Sequence, residues 1–238
     1  MEKDPLLVRA RGLWRELASA PVVFGAEDEV DVVAAPGSRF GPPGWVGVVV
    51  LGGAAVVTAP TGDAADRVRE ALAGVPASAL TDPGALAKAL PTGRLLGPAA
   101  LAYVADAGFR PLAAAGVEQL PAGHPELAGL ERAAGAADAD EAGLDEITSP
   151  AFAVRVDGRV AAAAGYRRWP ARTAHLAVLT APGLRGRGLA RAAGSAAVRH
   201  ALAQGLLPQW RARVPASRRV AAALGFAELG FQLSVEPA

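Results

Sequence analysis

The sequence predicts a mixed α/β fold, and three observations carry the prediction. Short runs rich in valine and alanine alternate with stretches of helical spacing, so strands and helices interleave along the chain. Asp157-Gly158 lies between two alternating segments, Ala151 to Val156 and Arg159 to Tyr166, and Asp-Gly in that setting is a hairpin signal. The stretch Val178-Leu-Thr-Ala-Pro-Gly-Leu-Arg-Gly-Arg-Gly-Leu-Ala-Arg191 reads as a strand end, a tight turn poor in Cβ atoms, and the start of an alanine-rich helix that runs from Leu189 to Ala203.

In chain order, Leu6 to Ala18 is predicted as an amphipathic helix, with Leu6, Leu7, Leu13, Trp14 and Leu17 along one face. Val30 to Ala34, Trp45 to Leu51 and Ala54 to Ala59 read as strands. A helix starting at Asp63 covers Ala64 to Leu72, with acidic residues near its N-terminus. Asp82-Pro83 opens a short helix over Gly84 to Leu90, and Pro98 to Ala107 reads as one more, closed by Gly108-Phe109. In the second half, Val117 to Leu120 is a strand and Pro125 to Ala134 a helix. The acidic, alanine-rich segment Ala136 to Asp145 reads as a loop leading to a second helix that ends near Ile147. After the hairpin come strands at Thr173 to Thr180 and Leu206 to Arg213. A helix over Pro215 to Leu224 stops at Gly225, and a last strand or pair occupies Phe226 to Val235.

A chain of 238 residues with 52% hydrophobic content can bury one large core or two domains of about 120 residues each. With no cysteine, disulfides, thiolate catalysis and cysteine metal sites are excluded. Met1-Glu-Lys-Asp-Pro5 is acidic and polar, and Val46 to Pro60 is broken by glycine and proline, so a cytoplasmic protein without a membrane span is expected. The net charge is only +1, yet no acidic residue lies between Asp157 and Glu228 while arginines recur from Arg159 to Arg219. Such a cluster focuses an anion. A phosphorylated cofactor fits better than nucleic acid, because few aromatics accompany the arginines and no nucleic-acid-binding module is recognised. The acidic patch Glu27-Asp28-Glu29 with Asp31 reads as a solvated turn, and no grouping of metal-ligand residues is found.

A strand, a glycine turn and a helix start present free backbone N–H groups to one point at the positive end of the helix, which suits a phosphate. The spaced dinucleotide fingerprint is absent, as is the lysine of a P-loop. Arg185-x-x-Gly188-x-Ala190 instead resembles the acyl-CoA loop of the GCN5-related N-acetyltransferases, the GNAT superfamily. Ser217-Arg-Arg-Val-Ala-Ala-Ala-Leu-Gly-Phe226 resembles the Leu-Gly-Phe helix ending of that family's FR47-like members. The resemblance covers roughly Gly116 to Val235. Within the first half, Pro98 to Phe109 lines up with Pro215 to Phe226, and Val57-Thr-Ala-Pro60 with Leu179-Thr-Ala-Pro182. We therefore expect two acetyltransferase-like halves in tandem, a degenerate one over residues 1–114 and an acyl-CoA-binding catalytic one over 115–238. Thr61-Gly-Asp-Ala-Ala-Asp-Arg67, with two aspartates, replaces the glycine loop in the first copy.

The resemblance implies an N-acetyltransferase that moves an acetyl group from acetyl-CoA, or another acyl-CoA, to a primary amine of a small molecule or peptide by direct attack, without a metal. By resemblance, backbone groups of Val178 and Thr180 pair with the pantetheine, and a strand N–H near Leu179 faces the thioester carbonyl. Amides from Arg185 through Gly186, Arg187, Gly188 and Leu189 to Ala190 hold the pyrophosphate, with Arg185 or Arg187 adding charge. Ser217 reads either as a pantetheine ligand or as a helix N-cap.

The family's usual strand base would fall at Leu176 or Ala174, and neither takes a proton. His175 and Glu146 are the candidate catalytic residues, beside a water chain with no dedicated base. The tyrosine that commonly protonates the leaving thiolate falls at Ala221, and the usual late asparagine at Val214. Trp210 reads as acceptor-site wall or as core, and His124 and His200 as structural. Those departures keep open the alternative of a non-catalytic acyl-CoA-binding or regulatory protein of the same fold. Oligomeric state, monomer or homodimer, is not encoded in any motif.

Overall fold

The computed structural model describes residues 4–90, 92–112 and 116–237. The chain divides into two compact units, one formed by Met1–Ala102 with Glu228–Ala238 and the other by Tyr103–Ala227. The expected division between Ala114 and Ala115 lies outside the described residues, as do Met1 to Lys3 of the polar start. The last strand groups with the first unit rather than the second.

In the first unit, Asp4 caps α1 (Pro5–Ala18) by accepting the Leu6 amide, and Pro5 occupies the first turn where no N–H is needed. The apolar face of α1 buries Leu13, Trp14 and Leu17, with Trp14 edge-on to Phe40 at 5.2 Å. The strands β1 (Val30–Ala34), β2 (Val46–Leu51), β3 (Ala54–Ala59), β4 (Thr92–Tyr103) and β10 (Ala227–Pro237) run in the order β1-β3-β2-β10-β4. β2 and β3 are buried at every position, which suits their unbroken valine and alanine runs. Gly52 and Gly53, both with positive φ, make the hairpin turn between them. The helices α2 (Gly62–Ala71) and α3 (Pro83–Ala89) are capped by the side chains of Thr61 and Asp82.

One expected helix is a strand. Pro98 to Tyr103 forms the end of β4, and Val104 and Ala105 lead into a 3-10 turn over Asp106–Gly108. Alanine is the strongest helix former, but propensity yields to tertiary context, and the sheet overrides it by burying Ala99 to Tyr103. The alignment of Pro98–Phe109 with Pro215–Phe226 thus pairs a strand with a helix and gives no support to a tandem. The second echo keeps its local form. β3 and β8 (Thr173–Thr180) each have an antiparallel neighbour on one side and a parallel one on the other. The connectivity differs, because the parallel neighbour of β3 precedes it in the chain and that of β8 follows it.

In the second unit the order is β5-β6-β7-β8-β9, with β5 (Val117–Leu120), β6 (Ala151–Val156), β7 (Arg159–Trp169) and β8 antiparallel and β9 (Leu207–Ala212) parallel to β8. Asp157 and Gly158, at φ 49° and 76°, form the predicted β6–β7 turn. One face is covered by α4 (Pro125–Ala134) and the segment after it, where Leu127, Leu130, Leu144 and Ile147 pack on Ala151, Ala163, Ala177 and Leu179. The helix α6 (Leu189–Ala203) buries Ala193, Ala197, Val198 and Ala201. The expected loop over Ala136 to Asp145 is instead α5 (Ala136–Ala142) and a 3-10 turn over Leu144–Glu146, because Gly135 and Gly143 supply the positive-φ ends of a short alanine-rich helix.

The last helix, α7 (Pro215–Ala223), ends at Gly225, whose φ is +91°. A Cβ there would overlap the carbonyl oxygen of Gly108, and the neighbouring Arg110 amide donates to the Leu224 carbonyl at 2.9 Å. Gly225→Ala is expected to destabilise the protein by at least about 2 kcal/mol, read as a lowered midpoint in chemical denaturation.

Candidate functional site

The site begins where one ladder stops. β8 and β9 pair only at Thr173↔Leu207, Ala174↔Pro208 and His175↔Gln209. Pro208 has no N–H to give to a ladder, although its carbonyl accepts the Val104 amide at 3.3 Å. Beyond that rung Trp210, 4% exposed, is drawn into the core, edge-on to Phe226 at 5.5 Å. A Cβ on Gly194 would stand 3.3 Å from the Trp210 ring, so the glycine lets α6 come this close. From Leu176 to Thr180, β8 keeps its antiparallel partner β7 but has no strand on its other edge among the described residues. At a rise of about 3.3 Å per residue this free edge is on the order of 13 Å long.

The free edge leads to the glycine turn. Gly186 and Gly188 have φ of 77° and 79°, a conformation in which a side chain is strained. Gly188 is the N-cap of α6 and supplies no side-chain cap. The first bond of the α6 ladder runs from the Ala192 amide to the Gly188 carbonyl at 3.0 Å, so the amides of Leu189, Ala190 and Arg191 precede it and point out of the helix end. Two orphaned polar atoms flank this end: the Thr180 hydroxyl and the Arg191 Nε are buried without a hydrogen-bond partner among the described residues. Buried polar groups are normally paired, so this arrangement fits a ligand rich in acceptors, such as a pyrophosphate with an amide-bearing arm.

The rung at the other end of the edge is polar and buried. The His175 Nδ1 lies 2.7 Å from Gln209 Oε1, and Gln209 Nε2 donates to the Tyr103 hydroxyl at 3.2 Å. With Gln209 oriented in this way, Nδ1 carries the imidazole proton and Nε2 is the acceptor. Trp169 stacks on the imidazole with centroids 3.9 Å apart. Burial first, then the charges on Arg211 and Arg167, pushes the His175 imidazolium down to about 3, against the opposing hydrogen bond from Gln209. Alternation places His175 on the face of Ala177 and Leu179, beneath α4 and the Glu146 turn. Glu146 stands on that same face, where its carboxylate accepts from Arg167 at 2.6 Å. The two catalytic candidates therefore share one side of the strands, joined through Arg167, the cross-strand partner of His175.

The remaining expected residues divide. Val178 is half-buried on the edge strand, and Leu179 packs into the core while its backbone stays on the free edge. Arg185 does not simply face the glycine turn: its guanidinium donates to Asp138 of α5 at 2.6 Å. At the far lip, Arg213 pairs with Glu141 of the same helix. Arg187 is exposed. Ser217 is not the N-cap of α7, which is Val214; its hydroxyl accepts from the Trp210 indole at 2.9 Å. That bond and the burial of Trp210 assign the tryptophan to the core. His124 caps α4 and His200 contacts the Tyr166 hydroxyl at 3.0 Å, both structural.

Gln209, Tyr103, Arg167 and Asp138 were not singled out in the sequence. The alternation of Gln209, Arg211 and Arg213 on a predicted strand was the available signal. In the first unit the Thr61 hydroxyl caps α2 by accepting the Ala64 amide, a side-chain cap that α6 lacks. A cavity of about 500 Å³ there is lined by Asp28 and Arg69 among valines and leucine. Both polar groups are engaged, Asp28 with the Ser78 amide and Arg69 with Asp66 and the Val32 carbonyl.

Residues 151–230 match the family model for GNAT acetyltransferases. A GNAT-family protein from Novosphingobium aromaticivorans shares 24% identity and superposes with a TM-score of 0.50 over 62% of this chain and 67% of its own. The second unit carries the GNAT fold. Two more GNAT-family structures are similar: one from Kribbella flavida at 21% identity (TM-score 0.47, 66% of this chain and 65% of that one) and one from Colwellia psychrerythraea at 19% (0.46, 62% and 58%). This chain thus spans about two thirds or less of the length of these GNAT structures. No curated protein matches the chain. Among the described residues, no helix is long and apolar enough to cross a membrane.

The depressed His175 pKa sets a pH dependence. The unfolded chain takes up a proton near 6.5 that the folded site refuses until about 3, so stability is full above 6.5 and is lost as pH falls toward 3. His175→Gln is expected to flatten that part of the stability–pH curve, measured by urea unfolding at stepped pH.

Proposed function

We propose that the second unit is an acyl-CoA-dependent N-acyltransferase, with acetyl-CoA as donor and a primary amine of a small molecule or peptide as acceptor. The observation that carries this reading is the free edge of β8, which runs from a buried polar rung to an uncapped helix start behind two left-handed glycines. A pyrophosphate on the amides of Arg185 to Ala190 leaves the pantetheine arm to lie along Val178 to Thr180. The thioester then lies toward the rung, with a strand N–H near Leu179 available to its carbonyl oxygen as negative charge develops there.

The neutral amine attacks the thioester carbon, a C–N bond forms, the C–S bond breaks, and the amine proton passes to solvent while the thiolate leaves as CoA. A thiol of pKa near 8.5 leaves without an acid of its own, which makes the alanine at position 221 tolerable. His175, neutral at physiological pH, is too weak a base to hold the amine proton, but its Nε2 can accept a hydrogen bond that orients the amine. The charges of Arg211 and Arg167 that act on His175 equally disfavour an ammonium beside it, so the acceptor loses its proton before attack. Glu146, tied to Arg167, positions that guanidinium.

Calorimetric titration with acetyl-CoA tests the reading. Wild type is expected to bind in the micromolar range and Gly188→Val to lose binding while keeping its circular dichroism spectrum. Absence of binding by wild type sinks the proposal. Thiol release on an amine panel separates turnover from a protein that only binds the cofactor. Asp138→Asn frees Arg185 for the phosphates. Because the pair is 52% and 46% exposed, the same titration is expected to tighten only a few-fold, in line with roughly 0.3–1 kcal/mol for an exposed pair.

A further inference from the structure

Two arginines mark the end of the sheet where β8 and β9 have parted. Arg213 directly follows β9, and Arg185 lies in the glycine turn that follows β8. The two strands run parallel, so these arginines stand at the same end, one on each lip of the opening. Each is held by a carboxylate of α5: Asp138 accepts from Arg185 at 2.6 Å, and Glu141 pairs with Arg213. Residues three apart share a face of a helix, so one face of α5 reaches both lips and the helix bridges the opening.

α5 has few other ties. None of its residues is buried, and Ala142 is only partly covered where it rests on the cluster of Ala177 and Leu179. Seven residues make a helix with little stability of its own. Gly135 and Gly143, at φ 89° and 60°, bound it, and a Cβ on either would meet nothing within 4 Å among the described residues. Both ends can therefore turn without displacing a neighbour.

Resting on the acyl-transfer reading above, we propose that α5 is a strap closed across the cleft in the donor-free protein, and that the donor's pyrophosphate releases it by taking Arg185 from Asp138. A doubly charged pyrophosphate on the glycine turn attracts the guanidinium and repels the carboxylate beside it, while the pair it replaces is solvent-exposed and weak. Freed at one lip, α5 turns about its glycines and keeps the Glu141 tie. The glycine turn is thereby coupled to the side of the cleft that carries His175, and the coupling is reciprocal: whatever loosens α5 favours the donor.

Hydrogen exchange read by mass spectrometry on the full chain, with and without saturating acetyl-CoA, tests the strap. On binding, the amides of Arg185 to Ala190 are expected to slow. Those of Ala139 to Gly143, bonded within α5 in the free protein, are expected to quicken by about 2- to 5-fold, the ratio that loss of one exposed ion pair supports. Asp138→Asn is expected to give α5 that faster exchange without acetyl-CoA and to remove the response. Asp140→Asn, which takes the same charge from an exposed residue with no ion pair among the described residues, is expected to keep the response. Glu141→Gln is expected to quicken α5 in the free protein and still to respond, because the Arg185 end remains to be opened. Protection of the turn with α5 unchanged or slowed overturns the proposal, as does a full response in Asp138→Asn or binding that leaves the turn unprotected. If acetyl-CoA does not bind by calorimetry, the acyl-transfer reading has failed, and this inference falls with it.

Discussion

The second unit depends on a parallel ladder that ends after three rungs. β8 and β9 hold together through Thr173, Ala174 and His175 and then part, because Pro208 weakens the ladder and Trp210 commits its strand to the core beside α6 and α7. The separation leaves the backbone N–H and C=O groups of Leu176 to Thr180 that point away from β7 without a strand partner among the described residues. A sheet interior normally closes such an edge, and an unfilled one is a site for an extended ligand. The buried rung of His175, Gln209 and Tyr103 fixes where the opening starts, and the left-handed glycines fix where it ends.

Charge organises the rim. The acidic segment from Asp138 to Glu146 reaches three arginines that lie much later in the chain, Arg185, Arg213 and Arg167. These pairs are solvent-exposed, so each contributes little to stability, yet they decide which cations stay available to ligands. Asp138 and Glu141 project from one short helix to the two lips of the cleft. Glu146 pairs with Arg167 on the face of the rung that carries His175.

Much of this was legible along the chain. The hairpin at Asp157-Gly158, the strand–glycine turn–helix passage and the Leu-Gly-Phe helix ending depend on local backbone chemistry, and each forms where the residues say it should. The errors share a physical cause. Pro98 to Ala107 has the composition of a helix, yet Pro98 to Tyr103 becomes a strand because the sheet of the first unit buries it. Ala136 to Asp145 reads as a loop from its acidic, alanine-rich composition, yet Ala136–Ala142 is a helix whose acidic side chains find partners far along the chain, Asp138 on Arg185 and Glu141 on Arg213. Ser217 reads along the chain as a pantetheine ligand or a helix N-cap, while its hydroxyl accepts from the indole of Trp210, a contact between β9 and α7.

The sequence by itself determined most of the element types, the strand–glycine turn–helix passage and the family resemblance, because turns, caps and hydrophobic period act over a few residues. Only the tertiary structure decided that the last strand belongs with the first unit, that Arg185 and Arg213 are shared with α5, and that His175 is neutral. Those outcomes depend on burial and on charges brought together from distant positions, which no local pattern in the chain records.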